Sequence, residues 1–298
     1  MSVNTVKVAG RELALSNLEK DLYPSYGFTK ARVLEYYGRI APVLLPHLRD
    51  RALTLKRYPD GADAEYFFEK RCPAGRPAWL KTAEIPYGSK KKLTACLVND
   101  LQTLLWVENL ASLELHVPLA RAATPGKPDS VVFDLDPGDG AGLRDCVKVA
   151  LMLKGLFDGM KLFSCVKTSG KKGLHVFVPL NTAADFGKTK AFSKAVAGVL
   201  QKSYPALVTA QMAKELRKGR VFINWSQNDA AKTMVAVYSL RAGPVPTVSF
   251  PLAWKELQGL NGPAAPAELQ VTPAEAVARA QGDLFRDLLV KKQELPYL

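Results

Sequence analysis

The sequence predicts a mixed α/β (α+β) fold with β-sheets flanked by helices. Three features predict it. An apolar run, Val131-Val-Phe133, leads into Asp134-Leu-Asp136 and a Pro137–Gly140 turn, the pattern of a buried strand. From there the pattern runs strand, helix, strand, turn, strand, helix, strand, which calls for a mixed sheet. Nearer the start, Val33, Leu34, Tyr37, Ile40 and Leu44 recur at helical spacing.

Taken in order, Ser16–Tyr26 reads as a short helix stopped by Pro24, and Thr29 caps the longer helix after it. Residues 52–70 read as strand, turn and strand around Tyr58-Pro-Asp-Gly61. Asn99–Asn109 reads as a helix. The stretch Arg121–Asp129 holds Pro125, Gly126 and Pro128 and reads as an irregular connector dividing a lobe 1–125 from a lobe 126–298. In the second half a helix is expected from Leu143 to Phe157. The strands Leu162–Lys167 and Leu174–Pro179 flank the turn Thr168–Gly173, and a helix follows over Lys188–Lys202. Val221–Trp225 and Val235–Leu240 read as strands, and the tail beyond Pro251 as mostly helical and amphipathic.

With 298 residues the chain can bury a substantial core. Lys and Arg number 41 against 28 Asp and Glu, a formal net charge of +13, and a field of that sign favours polyanionic partners. No apolar run is long enough to span a bilayer, so no membrane partner is expected. The start, MSVNTVKVAGREL, lacks the basic-then-apolar layout of a secretion signal, so a cytoplasmic location is expected. Cys72, Cys96, Cys146 and Cys165 show neither CxxC nor zinc-finger spacing and read as reduced, buried, apolar residues.

The chemistry concentrates in a few segments. Residues i and i+2 of a strand share a face, so Asp134 and Asp136 converge while Leu135 turns into the core. Two close carboxylates repel unless a cation sits between them, and hard Mg²⁺ or Mn²⁺ suits oxygen ligands. D-x-D alone fits a solvated acidic strand end equally well. In Ser169-Gly-Lys-Lys-Gly-Leu-His175, Gly170 and Gly173 allow close backbone approach and can gather N–H groups, while Lys171 and Lys172 add charge. That chemistry suits a triphosphate, although alone the segment reads as a basic hairpin turn. Gly219–Asn228 and Tyr238-Ser-Leu-Arg241 add polar groups at strand ends. Lys56, Tyr58 and Tyr66-Phe-Phe-Glu-Lys70 interleave cations with aromatics, a combination that stacks bases while holding phosphates. The plainer reading of Phe67 and Phe68 is that at least one is core, although alternation along a strand argues against both being core on one face.

Taken together and in order, the segments EKDLYPSYGFTK, LTLKRYPDG, FFEK, LELH, VVFDLDPG, TSGKKGLHVFVPL, VFINWSQN, VYSLR and FPLAWKEL resemble the polymerase domain of DNA ligase D, within the archaeo-eukaryotic primase superfamily. The resemblance runs from about Leu18 to Leu257 and implies a two-lobed primase-polymerase fold. It implies a nucleotidyltransferase that fills short gaps and extends 3′ ends at double-strand breaks in non-homologous end joining, with a preference for ribonucleotides. Asp134 and Asp136 match metal-binding carboxylates of a two-metal Mn²⁺ or Mg²⁺ site. Ser169, Gly170, Lys172, Gly173 and His175 match the triphosphate cradle, and Lys56, His116, Gln227 and Arg241 match other nucleotide contacts. Lys20 and Lys30 match lysines that grip a downstream 5′-phosphate, and Phe67 and Phe68 match aromatics lying against the template. Implied partners are DNA ends and gaps with a 5′-phosphate, NTP or dNTP, a Ku-like protein and a DNA ligase, in a nucleoid-associated setting.

One position departs from the pattern. The family places a third metal-binding aspartate where this chain has Asn224. An amide keeps the shape but loses the charge, which weakens the ion that activates the attacking 3′-hydroxyl. The expected penalty is on the order of 10²-fold or more in rate, by analogy with losses around other metal sites. A non-catalytic module that binds and bridges DNA ends is therefore the competing expectation. A carboxylate-pair hydrolase fits poorly, because both acids lie on one strand face rather than across a cleft.

Overall fold

The computed structural model describes residues 3–88, 91–261 and 269–296. The chain forms two compact units. The first comprises Met1–Pro125, Thr233–Ser249 and Val271–Asp283, and the second Gly126–Lys232, Phe250–Gln270 and Leu284–Leu298.

The second unit is built on a mixed six-stranded sheet. Its order is Val208–Thr209, Val221–Asn224, Ser130–Pro137, Leu174–Pro179, Cys165–Thr168, Pro251–Leu252. Only the outermost pair, Val208–Thr209 with Val221–Asn224, is parallel. Val131, Phe133 and Leu135 point into a core shared with Val147, Ala150 and Phe157 of one helix and Phe192 and Val196 of another. The first of these helices is Leu143–Gly159 and the second Phe186–Ser203, whose start is capped by Asp185 accepting from the Lys188 backbone N–H at 2.8 Å. The rings of Phe133 and Phe157 lie 5.2 Å apart and tilted. With the odd-numbered residues committed to that core, strand alternation sends Asp134 and Asp136 to the other face.

The first unit contains a six-stranded sheet in the order Met234–Val235, Glu114–Val117, Ala52–Arg57, Lys91–Leu97, Thr82–Tyr87, with Phe67–Glu69 also paired to Ala52–Arg57. The long helix Lys30–Leu48 buries Val33, Leu34, Tyr37, Ile40 and Leu44, the positions that the spacing marks, and Thr29 caps it. Helix Leu101–Glu108 is capped by Asp100, whose carboxylate accepts from the Thr103 N–H at 2.8 Å.

Five local expectations are corrected. Ser16–Tyr26 is no helix: Asp21–Tyr23 pairs with Phe28–Thr29 around a 3₁₀ turn, Pro24–Tyr26, that ends at Gly27 with φ +66°. Strand pairing outweighs the weak helical spacing there. Val235–Leu240 is not continuous, because Tyr238 has φ +66°. The chain therefore leaves Met234–Val235, paired to His116 and Val117, and restarts at Leu240–Arg241, paired to Thr247 and Val248. Beyond Pro251 the described residues hold three short helices, Trp254–Gly259, Pro273–Arg279 and Arg286–Val290, rather than a mostly helical tail. Cys72 and Cys96 form a disulfide, both almost fully buried, with Cα atoms 4.9 Å apart. The Cys72 N–H donates to the Thr94 carbonyl at 2.8 Å, so strand-side packing, invisible in a spacing of 24, brings the thiols together. Cys146 and Cys165 are free and buried as expected. Finally, neither Phe67 nor Phe68 is core: both rings are exposed on a short edge strand.

Candidate active site

In the second unit, sheet register assembles the chemistry. Lys167 stands opposite His175, His175 opposite Asp134, and Asp134 opposite Asn224, so four polar side chains form one row across four adjacent strands. Their hydrogen bonds follow the row. Lys167 Nζ lies 2.9 Å from His175 Nδ1, and His175 Nε2 lies 3.2 Å from Asp134 Oδ1. A lysine ammonium can only donate, so Nδ1 accepts and Nε2–H donates to the carboxylate. Asn224 Nδ2 and Gln227 Nε2 donate to Asp134 Oδ2 at 3.3 and 3.4 Å. Burial alone would raise the Asp134 pKa, but the His175 contact, followed by the Gln227 and Asn224 amides, outweighs it and holds the carboxyl below its usual range. Asp134 is buried, whereas Asp136, two residues on, is exposed.

The Thr168–Gly173 turn packs directly on the acid-bearing strand. A Cβ on Gly173 would lie 2.3 Å from the Leu135 carbonyl oxygen, so only glycine fits between the two aspartates' strand and the turn. Gly170 sits at φ +71°, where glycine is at ease. Two of the turn's N–H groups converge on a side chain of the turn itself. Ser169 Oγ accepts from the N–H groups of Lys171 and Gly173, each at 3.1 Å. The exposed side chains of Lys171 and Lys172 carry the turn's positive charge.

Asn224 offers the site its amide rather than an anion. Its Nδ2 faces Asp134, and its Oδ1 accepts from Ser226 Oγ at 2.7 Å, which in turn accepts from Lys232 Nζ at 2.7 Å. Among the described residues no three His, Cys, Asp or Glu side chains cluster as a metal set. The donors present fit a hard cation held by Asp134 and Asp136, and they do not supply a third anionic ligand.

In the first unit a second polar group forms by the same register logic. Lys56 stands opposite Glu114 on one side and Phe68 on the other. Glu114 is fully buried, and its carboxylate lies 3.6 Å from Lys56 Nζ, 3.0 Å from His116 Nε2 and 3.4 Å from Arg241 Nε. Tyr58 Oη also donates to it at 3.1 Å, and the Ala242 N–H at 3.2 Å. Burial acts to raise the Glu114 pKa, but the His116 contact and the Arg241 and Lys56 charges hold it far below the usual carboxylate range. Lys56 Nζ also faces the Tyr66 ring at 3.8 Å, and His116 meets the Phe68 ring edge-on.

Lys20 and Lys30 share a corner of the same unit, where the Lys30 N–H donates to the Lys20 carbonyl at 2.8 Å. Lys20 is exposed and pairs with Asp60, while Lys30, the first residue of its helix, is buried with Nζ on the Ser16 carbonyl at 2.6 Å. Phe67 lies against the Arg57 guanidinium, 5.1 Å from ring centre to cation.

The family model for the LigD primase-polymerase domain matches residues 29–285. The chain belongs to the LigD primase-polymerase family. The multifunctional non-homologous end joining protein LigD of Mycolicibacterium smegmatis is 42% identical over 245 residues, 82% of this chain and 32% of the relative. The LigD end joining DNA repair protein of Mycobacterium tuberculosis H37Rv is 37% identical over 288 residues, 93% of this chain and 37% of the relative. The chain thus spans about a third of the length of these relatives. Among solved structures, the polymerase domain of Mycobacterium tuberculosis ligase D in complex with DNA superposes with a TM-score of 0.87 at 37% identity, covering 94% of this chain and 99% of that one. The primase-polymerase fold implied by the resemblance is therefore the fold of this chain. Sequence reasoning missed Glu114 and Lys167, which bind predicted site residues from neighbouring strands. The spacing Glu114-x-His116 puts both on one strand face, but the cations that reach Glu114 come from other strands and leave no local signal.

Proposed function

We propose that this domain is a template-directed nucleotidyltransferase that fills short gaps and extends 3′ ends at double-strand breaks, with ribonucleotides preferred over deoxyribonucleotides. The observation that carries the reading is the polar row at Asp134 with the lysine-bearing turn seated on the same strand at Gly173. That arrangement supports a divalent ion and a triphosphate meeting at one strand end. Asp134 and Asp136 would hold Mn²⁺ or Mg²⁺, which when bound lowers the pKa of the 3′-hydroxyl and neutralises phosphate charge. His175 fixes the Asp134 carboxylate, and Gln227 and Asn224 hold its other oxygen. Ser169, Gly170, Lys172 and Gly173 are assigned to the phosphates, and Lys56, His116 and Arg241 to further nucleotide contacts. The 3′-hydroxyl gives its proton to solvent as its oxygen attacks the α-phosphorus, the bond to the bridging oxygen of the β-phosphate breaks, and pyrophosphate leaves stabilised by the turn's lysines. Lys20 and Lys30 are assigned to a downstream 5′-phosphate, and Phe67 and Phe68 to the template strand. A Ku-like protein, a DNA ligase and a cytoplasmic, nucleoid-associated setting belong to the same reading; among the described residues no helix is long and apolar enough to cross a membrane.

Asn224 sets the expected level of activity. Its amide gives the ion one anionic ligand fewer, so the native chain should extend slowly and Asn224→Asp should accelerate it by on the order of 10²-fold. The measurement is primer extension on a gapped duplex carrying a 5′-phosphate, with Mn²⁺ and each of NTP and dNTP. Failure of both forms to incorporate any nucleotide would refute the enzymatic reading. If those forms still bind the duplex in a 5′-phosphate-dependent way, the end-bridging module is the correct reading, favoured by the amide that Asn224 turns toward Asp134.

A further inference from the structure

Four groups of the first unit converge on one buried carboxylate. Lys56, His116 and Arg241 each place a nitrogen within 3.6 Å of Glu114, and Tyr58 Oη donates to it at 3.1 Å. The three nitrogen-bearing side chains come from three strands, Ala52–Arg57, Glu114–Val117 and Leu240–Arg241, so nothing local fixes their spacing. Side chains of like charge brought this close repel, and in a low-dielectric setting they splay apart unless an anion sits among them. An anion inside a group meant to receive another anion weakens its net field, so its presence needs a reason other than attraction. Lys56 and Arg241 against Glu114 leave a surplus of one positive charge, with Lys56 additionally faced by the Tyr66 ring. The surplus is what a nucleotide would meet, and the carboxylate is what holds its bearers in place.

We infer that Glu114 is a positioning residue for nucleotide binding, a hub that sets Lys56, His116 and Arg241 in fixed relation without itself touching the nucleotide. The inference rests on the proposed assignment of those three groups to the nucleotide. It adds that their placement is imposed by one carboxylate, and that Tyr58 orients that carboxylate through its hydroxyl. The Ala242 N–H, at 3.2 Å, ties the same oxygen to the backbone beside Arg241.

The test uses the full chain and measures equilibrium binding of manganese-ATP by fluorescence, alongside binding of a 5′-phosphorylated recessed duplex and the thermal midpoint. Glu114→Gln keeps the shape and removes the charge. It is expected to weaken ATP binding about tenfold or more, in keeping with the loss of charge-assisted hydrogen bonds. Duplex binding at Lys20 and Lys30 should stay at the parent level, which a general collapse of the unit would not allow. Tyr58→Phe, which keeps the ring and the carboxylate, should weaken ATP binding about threefold, as for one hydrogen bond, and it carries the test if Glu114→Gln does not fold. Combining Glu114→Gln with Lys56→Met should cost less than the sum of the separate losses, because both act through one contact. Parent-level ATP binding in the folded Glu114→Gln and Tyr58→Phe variants would overturn the inference while leaving the nucleotide assignment standing. A parent chain that binds the duplex but no ATP would overturn that assignment, and the inference with it.

Discussion

If Lys30 grips a downstream 5′-phosphate as proposed, that site carries its own pH dependence. Burial, then the charges of Lys20 and Arg57, disfavour its ammonium and lower its pKa to about 8 from the ordinary 10.5. A phosphate meets the charged form, so the affinity gained from a 5′-phosphate is complete below pH 8. It declines as the pH rises through 8, where an ordinary lysine would hold its charge to above pH 10. Binding of 5′-phosphorylated and 5′-hydroxyl duplexes compared from pH 7 to about 10 checks this; a difference that stays constant across the range would remove Lys30 from the phosphate site. The sequence marked Lys30 only through family resemblance, because a lysine at a helix start reads as solvated surface. Its burial arises from the turn that brings Ser16 over the helix start. That Asp134 and Asp136 leave the core face together was legible from strand period, whereas a metal role for them is singled out only by the resemblance. Glu114 was not legible, since an acid two residues before a histidine gives no hint of the cations that neighbouring strands bring to it.

At the scale of the element, the hairpin Cys165–Pro179 depends on a glycine for a packing reason besides the proposed phosphate contact. The sequence suggests that Gly173 admits a ligand, and the structure adds a close approach to the protein's own Leu135 carbonyl. Gly173→Ala should therefore force the turn off the acid strand, costing about 1–3 kcal/mol as in other overpacked sites and reducing extension along with it. Urea unfolding and primer extension on the same preparation measure both. Gly198→Ala, on the exposed side of helix Phe186–Ser203 with no atom near the added carbon, should be neutral or gain up to about 1 kcal/mol. Strong periodicity made Leu174–Pro179 readable to its ends and, with the Thr29 cap, the start and buried face of Lys30–Leu48. The failures share a cause. Asp21–Tyr23 owes its conformation to a hairpin partner, and the Cys72–Cys96 pair to a contact across 24 residues, and local pattern carries no record of register.

For the whole molecule, the two units and the surplus charge raise separate questions. A linear reading finds the connector near residue 125 but has no means of showing that Thr233–Ser249 and Val271–Asp283 cluster with the first unit, because chain return is a tertiary fact. Charge, by contrast, is fully legible: a formal +13 is a property of composition. It predicts a sequence-independent affinity for DNA that falls linearly with the logarithm of salt concentration, by a slope of about 0.9 for each phosphate neutralised. General basic attraction and a dedicated 5′-phosphate grip differ in that measurement. Under general attraction, duplexes with and without the terminal phosphate give nearly parallel salt lines, and Lys20→Glu with Lys30→Glu shifts both lines alike. With a dedicated grip, the phosphorylated duplex gives the steeper line, by about one to two, and the double substitution removes the excess while leaving the hydroxyl-ended duplex little changed. The grip is the expected outcome, because Lys20 and Lys30 are joined through the backbone at one corner, and Lys30 is buried there rather than spread over the surface.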